Sequence, residues 1–439
     1  MKTEMRSDGC RSRLQRKPNS KNMKITGITA EYDPFHRGHL YQLKRAGEMT
    51  GADGTVVVLG GDFLQRGTPC TVPKALRARM AADSGADLVL QLPYIYSVNS
   101  SSEYTRGAVS ILDGIGCVDC ISFGCETDDT ELLERASMAS SDNEKLAPHI
   151  REFLSRGMSY AEAMTLAAET VFGTEVSEVL RKPNNLLACG YMAALRELGS
   201  DIEPVPVLRM GGSARGAYED DDTERKEDAY LSASSIRKLL TSGRKEEAFS
   251  YLPPAAARVL VGCFPGGAEN AAGRAREADR NMLQLLRYRI MTAGRGDLAA
   301  VYTAAEGIEA RAAASALACG VRGMDGFIGS MKTKRYTWSR ISRLLVHMLM
   351  NFTSDDFAEL RGVRYARVLA FSDVGREILS VMRKTSDIPV ISNLAGLSKY
   401  DARVRKSLEL DIRAAGLYDM IHGGEDITGG EYRFVPYRR

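Results

Sequence analysis

The stretch ITGITAEYDPFHRGH, Ile25–His39, joins an apolar run to a dense set of polar residues. Ile25–Tyr32 reads as a strand, and His39–Met49 reads as a helix with Leu40, Leu43 and Gly47 on one face. Between them stands H-x-G-H, made of His36, Gly38 and His39. Histidines three residues apart share a face of a starting helix. Gly38 removes a side chain where an anion could approach the backbone. A helix start adds unpaired N–H groups and the positive end of the helix dipole. Together these suit a triphosphate and the charge that builds during attack at its α-phosphorus. The nucleophile would come from the substrate, so no Ser or Cys nucleophile is required. H-x-G-H is a weak motif alone; one turn after a first strand it gains weight, and it holds two of the five histidines in the chain.

Outward from this stretch, strand-like and helix-like segments alternate. TVVVLG (Thr55–Gly60) has the apolar run of a buried parallel strand. Pro73 opens a helix running to Ser84, and DLVLQLP (Asp87–Pro93) is a third strand. Ser102–Leu112 is helical, and DCISFG (Asp119–Gly124) is a fourth strand. Residues 129–180 read as helical. Pro183 starts a further helix, and PVPVLRM (Pro204–Met210) is a fifth strand. Strands separated by helices predict an α/β fold with a doubly wound parallel sheet, whose ligands bind at the carboxyl ends of the strands. The loops to inspect follow Ala30, Leu59, Gln91 and Phe123. One is GGDFLQRG (Gly60–Gly67), with Gly60, Gly61, Gln65 and Arg66. SASSIR offers Ser234, Ser235 and Arg237 at a helix start, fit either for phosphate binding or for plain N-capping.

The chain has 439 residues, room for two or three domains at roughly 100–200 residues each. With 44% hydrophobic and 26% charged residues it is globular rather than disordered. No run of about 18 apolar residues is present, which excludes a transmembrane helix. Net charge is +3, yet residues 1–22 alone carry +5, leaving the rest at −2. A nucleic-acid surface would therefore have to be local. Those 22 residues read as a disordered basic tail or a misplaced start, with Met23 as the alternative start. Eight cysteines without regular spacing suggest reduced thiols in a cytoplasmic protein. Cys117, Cys120 and Cys125 lack further ligands for a metal, and none is expected. The run EDDDTERKED (Glu219–Asp228) reads as a solvated loop. Beyond Tyr251 the chain is mainly helical, with VLAF (Val368–Phe371) and PVIS (Pro389–Ser392) as strands of a small α/β element.

SMKTKRYTWSRISR (Ser330–Arg343) carries Lys332, Lys334, Arg335, Arg340 and Arg343 with no acid, interleaved with Tyr336 and Trp338. Cations can meet RNA phosphates while aromatic rings stack an unpaired base. The same pattern also describes a solvated basic helix with its rings packed inward.

Several blocks in order resemble the tRNA(Met) cytidine acetate ligase family of H-x-G-H nucleotidyltransferases. They are EYDPFHRGHLYQL, GGDFLQRGTP, DLVLQLPYIYS, the FG of ISFGCE, KPNNLLACGY, SASSIRK and KTKRYTW, followed by DIPVISNL and LDIRA. The resemblance covers Met23–Ala414. It implies ATP-dependent activation of acetate to acetyl-adenylate with release of pyrophosphate. Acetyl then passes to the wobble cytidine of elongator tRNA(Met), giving N(4)-acetylcytidine. It also implies Mg²⁺ with the ATP, a cytoplasmic enzyme, and neither a membrane nor an obligatory protein partner. An ATP-binding catalytic domain would span 23–250 and a mainly helical tRNA-binding domain 251–439. His36 and His39 would be catalytic. ATP would be lined by Thr29, Ala30, Glu31, Tyr32, Asp33, Pro34, Phe35, His36, Arg37, Gly38, His39, Leu40, Tyr41 and Gln42, with Gly124, Asn184 and Arg209. The family usually has Asn in place of Asp33. A small-molecule adenylyltransferase, a non-catalytic RNA-binding protein and a class I aminoacyl-tRNA synthetase are the alternatives; the last lacks its KMSKS-type loop here.

Overall fold

Every residue of β2 (Gly54–Leu59) is buried, as the run GTVVVL requires of a strand covered on both faces. In the computed structural model, which describes residues 23–209, 230–262, 271–318, 320–427 and 429–439, this strand is central. It pairs in parallel with β1 (Ile25–Ala30) and β3 (Leu88–Gln91). Beyond β1 lie β4 (Cys120–Cys125) and β5 (Glu203–Leu208), also parallel, giving the order β5-β4-β1-β2-β3. Helices cross between these strands, as the alternating sequence predicts. The N-terminal tail, the acidic run and Met210 lie outside the described residues.

Helix α1 (Arg37–Thr50) starts two residues before the expected His39 because His36 caps it. Its buried face is Leu43, Ala46 and Thr50 rather than the Leu40–Leu43–Gly47 face, and a Cβ on Gly47 would touch nothing. Edge strand β5 tolerates two prolines through its pairing. Glu203 and Arg209 donate their N–H groups to β4, so Pro204 and Pro206, of the opposite parity, lack theirs on the outer side. Cys120 and Cys125 stand at opposite ends of β4, about 16 Å apart for an extended strand, too far to share a metal.

The expected division at Tyr251 does not divide the sheet. β6 (Ala366–Phe371) runs antiparallel along β3, with Leu88 opposite Phe371 and Gln91 opposite Arg367. β7 (Val390–Ile391) and β8 (Tyr437–Arg438) then pair with β6. VLAF and PVIS are thus part of the main sheet, not of a separate element. β3 is fully buried, and its free edge needs a partner that the N-terminal region does not supply. Asp87 fastens the join: its carboxylate accepts from Thr55 N (3.0 Å) and Ser372 Oγ (2.8 Å), and its carbonyl accepts from Ser372 N (2.8 Å). The helix Asp373–Thr385 comes so close that a Cβ on Gly375 would stand 1.9 Å from the Asp87 carbonyl oxygen. Buried Asp411, on the helix Ala402–Ile421, accepts from Tyr94 N (2.7 Å) and Tyr365 Oη (2.6 Å). Among the described residues no helix is long and apolar enough to cross a membrane.

A fragment comprising residues 23–250 alone should therefore fail to fold. The expected result is an insoluble product or one without a cooperative thermal transition in circular dichroism. A soluble fragment with such a transition would show that β3 does not need β6.

Candidate active site at the carboxyl ends of the strands

The H-x-G-H segment forms a reciprocal cap on α1. His36 Nδ1 accepts the Gly38 N–H at 3.0 Å, and His39 Nδ1 accepts the His36 N–H at 3.3 Å. The rings stack with centroids 3.6 Å apart and planes 23° apart. Because the main chain donates to both Nδ1 atoms, the proton of each neutral ring belongs on Nε2. Burial, reinforced by Arg209 and Arg237, lowers the His36 pKa to about 3. Burial, His36 and Arg209 hold His39 well below the usual histidine value. The pair is neutral near pH 7 and offers two Nε2–H donors. Tyr32 and Phe35 close around His39, with centroids at 4.8 and 5.7 Å. The glycine between the histidines serves the cap. A Cβ on Gly38 would sit 2.9 Å from Cε1 of His36, so Gly38 makes room for that ring.

Fixed cations flank the pair. Arg209 follows β5 and lies across Gly124 of β4, where a Cβ would come within 3.3 Å of the Arg209 Cγ. It forms no ion pair with an acid among the described residues. Arg237 Nη1 donates to the Asp33 carbonyl at 2.6 Å and Nη2 to Ser234 Oγ at 3.1 Å. The cap of the helix Ala233–Thr241 is Ser232, not Ser234 or Ser235. Ser235 N donates to Ser232 Oγ at 3.2 Å, and the two hydroxyls lie 2.9 Å apart. Asn184 donates to the Glu126 carboxylate at the end of β4. Its neighbour Asn185 is fully buried and accepts Glu126 N at 2.7 Å. Thr29 and Ala30 close β1, while Leu40, Tyr41 and Gln42 are half-buried along α1.

Two residues outside the predicted set shape this floor. Arg77, on α2 (Lys74–Asp83), is 0% exposed. Its Nε donates to Val72 O at 2.8 Å, Nη1 to Glu31 O, and Nη2 to Gly61 O. Lys74 is also buried, between Asp62 (2.9 Å) and Glu431 (2.8 Å). The helical pattern of KALRARM gives no sign that these cations point inward. Asp33 explains itself: its two oxygens accept Thr71 N and Val72 N, each at 3.0 Å. An Asn offers one acceptor oxygen for those two donors.

The family model for HIGH Nucleotidyl Transferase matches residues 23–429. The tRNA(Met) cytidine acetate ligase of Thermoanaerobacter sp. (strain X514) is 33% identical over 416 residues, 93% of this chain and 98% of that protein. The chain belongs to the tRNA(Met) cytidine acetate ligase family. The ligase of that name from Bacillus subtilis (strain 168) is 33% identical over 402 residues, 91% of this chain and 92% of its own. A crystal structure of Thermotoga maritima TmcAL bound with alpha-thio ATP is similar at TM-score 0.81 and 28% identity, covering 95% of this chain and all of that one.

In this acetate ligase family member the basic segment is split by burial. Lys332, Lys334 and Arg335 are exposed, and Trp338 is 39% exposed at the start of the helix Trp338–Met350. Tyr336 turns inward. Its hydroxyl donates to Glu306 O at 3.0 Å, and Arg340 lies over its ring at 5.1 Å. Of the two rings, only that of Trp338 is exposed. Arg335 pairs with Glu306 at 3.6 Å, whereas Lys332 and Lys334 meet no acid among the described residues. Arg343 is half-buried, and burial together with Arg340 lowers its pKa to about 10. The loop after β2 rests on it: Gly67 has φ +80°, and a Cβ there would lie 2.4 Å from Arg343 N.

Arg77→Met should leave three carbonyls without their donor and destabilise the protein by at least ~3 kcal/mol, read by urea denaturation. A loss below ~1 kcal/mol would contradict the bonding described here. The histidine pair has a pH signature of its own. The folded-state pKa of His36 lies below its unfolded value, so its contribution to stability is complete above about pH 6.5 and is lost as pH falls toward about 3. Acidification from pH 6.5 to 4 should lower Tm less in His36→Gln than in the unsubstituted protein. Equal slopes would mean that His36 is protonated in the folded state.

Proposed function

We propose that this protein activates acetate with ATP and transfers the acetyl group to the wobble cytidine of elongator tRNA(Met). The carrying observation is the neutral, stacked pair His36–His39 at the start of α1, flanked by Arg209 and Arg237. It offers N–H donors and cations to a triphosphate and no ionised nucleophile of its own. Acetate is already an anion at neutral pH, so its attack at the α-phosphorus needs no base. It needs alignment and compensation of the growing negative charge, which fixed donors provide without reorganising. Pyrophosphate departs, and Arg237, whose guanidinium is held by the Asp33 carbonyl and Ser234, can meet its charge, whereas the first N–H groups of α1 are taken by Tyr251 O, His36 Nδ1 and His36 O.

Mg²⁺ would enter as the counter-ion of ATP. Among the described residues no three His, Cys, Asp or Glu side chains gather as a cage, which suits an ion held chiefly by phosphates and water. The exposed Lys332, Lys334 and Arg335 with Trp338 support an RNA contact beside the loop that reaches the site. Action on tRNA would place the enzyme in the cytoplasm. A small-molecule adenylyltransferase would share the first step and make no use of this basic segment.

Labelled acetate, ATP and Mg²⁺ with unmodified elongator tRNA(Met) should yield labelled N(4)-acetylcytidine. His39→Ala should lower adenylation about 10²–10³-fold by removing one transition-state donor. Label that never reaches cytidine, with pyrophosphate still released, would favour the small-molecule reading. Replacing Lys334 and Arg335 by Ala should weaken RNA binding and flatten the log–log salt slope by roughly one unit per lost phosphate contact. An unchanged slope would remove the segment from the RNA surface.

A further inference from the structure

Acetyl transfer leaves a proton to be placed. The lone pair of the cytidine amine is conjugated with its ring, so the nitrogen becomes acidic as it bonds to the acetyl carbon. A base within reach then lowers the barrier. The histidines cannot serve, since both Nδ1 atoms accept main-chain N–H groups and both Nε2 atoms carry the protons. Asp33 has each oxygen occupied by an N–H, Asp62 is paired with Lys74, and Glu126 accepts from Asn184. Glu31 differs. It links β1 to the H-x-G-H loop, and its side chain reaches over the end of β2, where a Cβ on Gly60 would lie 3.9 Å from its Cγ. One carboxylate oxygen accepts Gln65 N at 2.6 Å. Arg77 binds the main-chain carbonyl of Glu31, and among the described residues no cation forms an ion pair with the carboxylate.

We infer that Glu31 is the base that takes the amine proton during acetyl transfer. The amine electron pair forms the C–N bond, and the C–O bond to the adenylate phosphate breaks with its electrons leaving on AMP. The proton passes to the Glu31 carboxylate and from there to water once the product has left. This assignment rests on the RNA-acetylating activity proposed above. Burial raises the Glu31 pKa, Asp33 adds to the rise, and the Gln65 N–H, Arg237 and Arg77 oppose it. Tyr104, Tyr191 and Cys70 also lie around it, each kept neutral by burial.

Glu31→Gln retains an oxygen for Gln65 N and removes only the base. The full-length protein would be given ATP and acetate. Acetyl-adenylate would be trapped with hydroxylamine, which needs no protein base, alongside single-turnover acetylation of unmodified elongator tRNA(Met). RNA acetylation by the variant should fall about 10²–10⁴-fold relative to its own hydroxamate yield. The rise of transfer rate with pH in the unsubstituted enzyme should vanish. Equal losses in both readouts would make Glu31 a positioning or nucleotide-binding residue and overturn the assignment, as would transfer at the unsubstituted rate. An unsubstituted enzyme that forms no hydroxamate would overturn the acetate ligase reading itself, and the assignment with it.

Discussion

The buried guanidinium of Arg77 is the contact on which the site depends. A fully buried arginine must find acceptors, and these are the carbonyls of Glu31, Gly61 and Val72. They belong to the exits of β1 and β2 and to the segment leading into α2. One planar, five-donor group thus fixes three chain directions at once, which a lysine's point charge would not do. The H-x-G-H loop leaves from Glu31, so its path starts from an atom that Arg77 holds. Asp33 then pins the same loop to Thr71 and Val72. The histidine pair inherits its position from these bonds.

The site divides its electrostatic work between neutral donors and fixed cations. The histidines are neutral donors because burial and two neighbouring arginines oppose their protonation. Arg209 and Arg237 supply fixed positive charge. Arg237 also faces the Asp33 carboxylate at 3.6 Å, so only part of its charge is open to a further anion. Arg209 has no acid beside it among the described residues, which suits the phosphate contact proposed for it. The same logic explains why the reciprocal cap matters. Locking both Nδ1 atoms to the main chain leaves each ring one way to be neutral, with its proton on Nε2.

Local signals carried much of this. The five parallel strands, the motif after β1 and the loop after β2 are legible because each depends on a few adjacent residues. What escaped depends on distance along the chain. β6 pairs with β3 across more than half of the sequence, and no local pattern in VLAF names its partner. Arg237 reaches Asp33 across 204 positions. Arg77 looks like the polar side of a helix, because helical periodicity shows which residues share a face but not what that face meets. In SASSIR the cap fell to Ser232, two residues before the first serine expected to bind phosphate. Tyr336 and Trp338 have equal claims as sequence, yet one is buried and the other exposed, since only the packed fold supplies Glu306 and Arg340 around Tyr336.

The loop after β2 shows why catalytic and helical regions cannot be treated as separate modules. Its Gln65 N–H binds Glu31 and its Gln65 Nε2 donates to Asn99 O at 2.6 Å. Tyr302, from the helical region, donates to Asn99 Oδ1 at 3.3 Å. Two residues on, Gly67 lies against the main chain of Arg343 in a conformation and a space that no side chain fits. The loop is therefore a wall shared by the two regions: one side sets the floor of the candidate site, and the other rests on the basic helix. On the function proposed above, a rigid shared wall would fix the separation between a group activated at the strand ends and a nucleic acid held on that helix. Positioning of this kind is what a transfer between two large substrates demands, because a small error in placement costs more than a weakened contact. The antiparallel return of β6 and the anchoring of Asp411 hold the wall from behind. The same contacts that complete the sheet would thus keep the two proposed substrate sites in register.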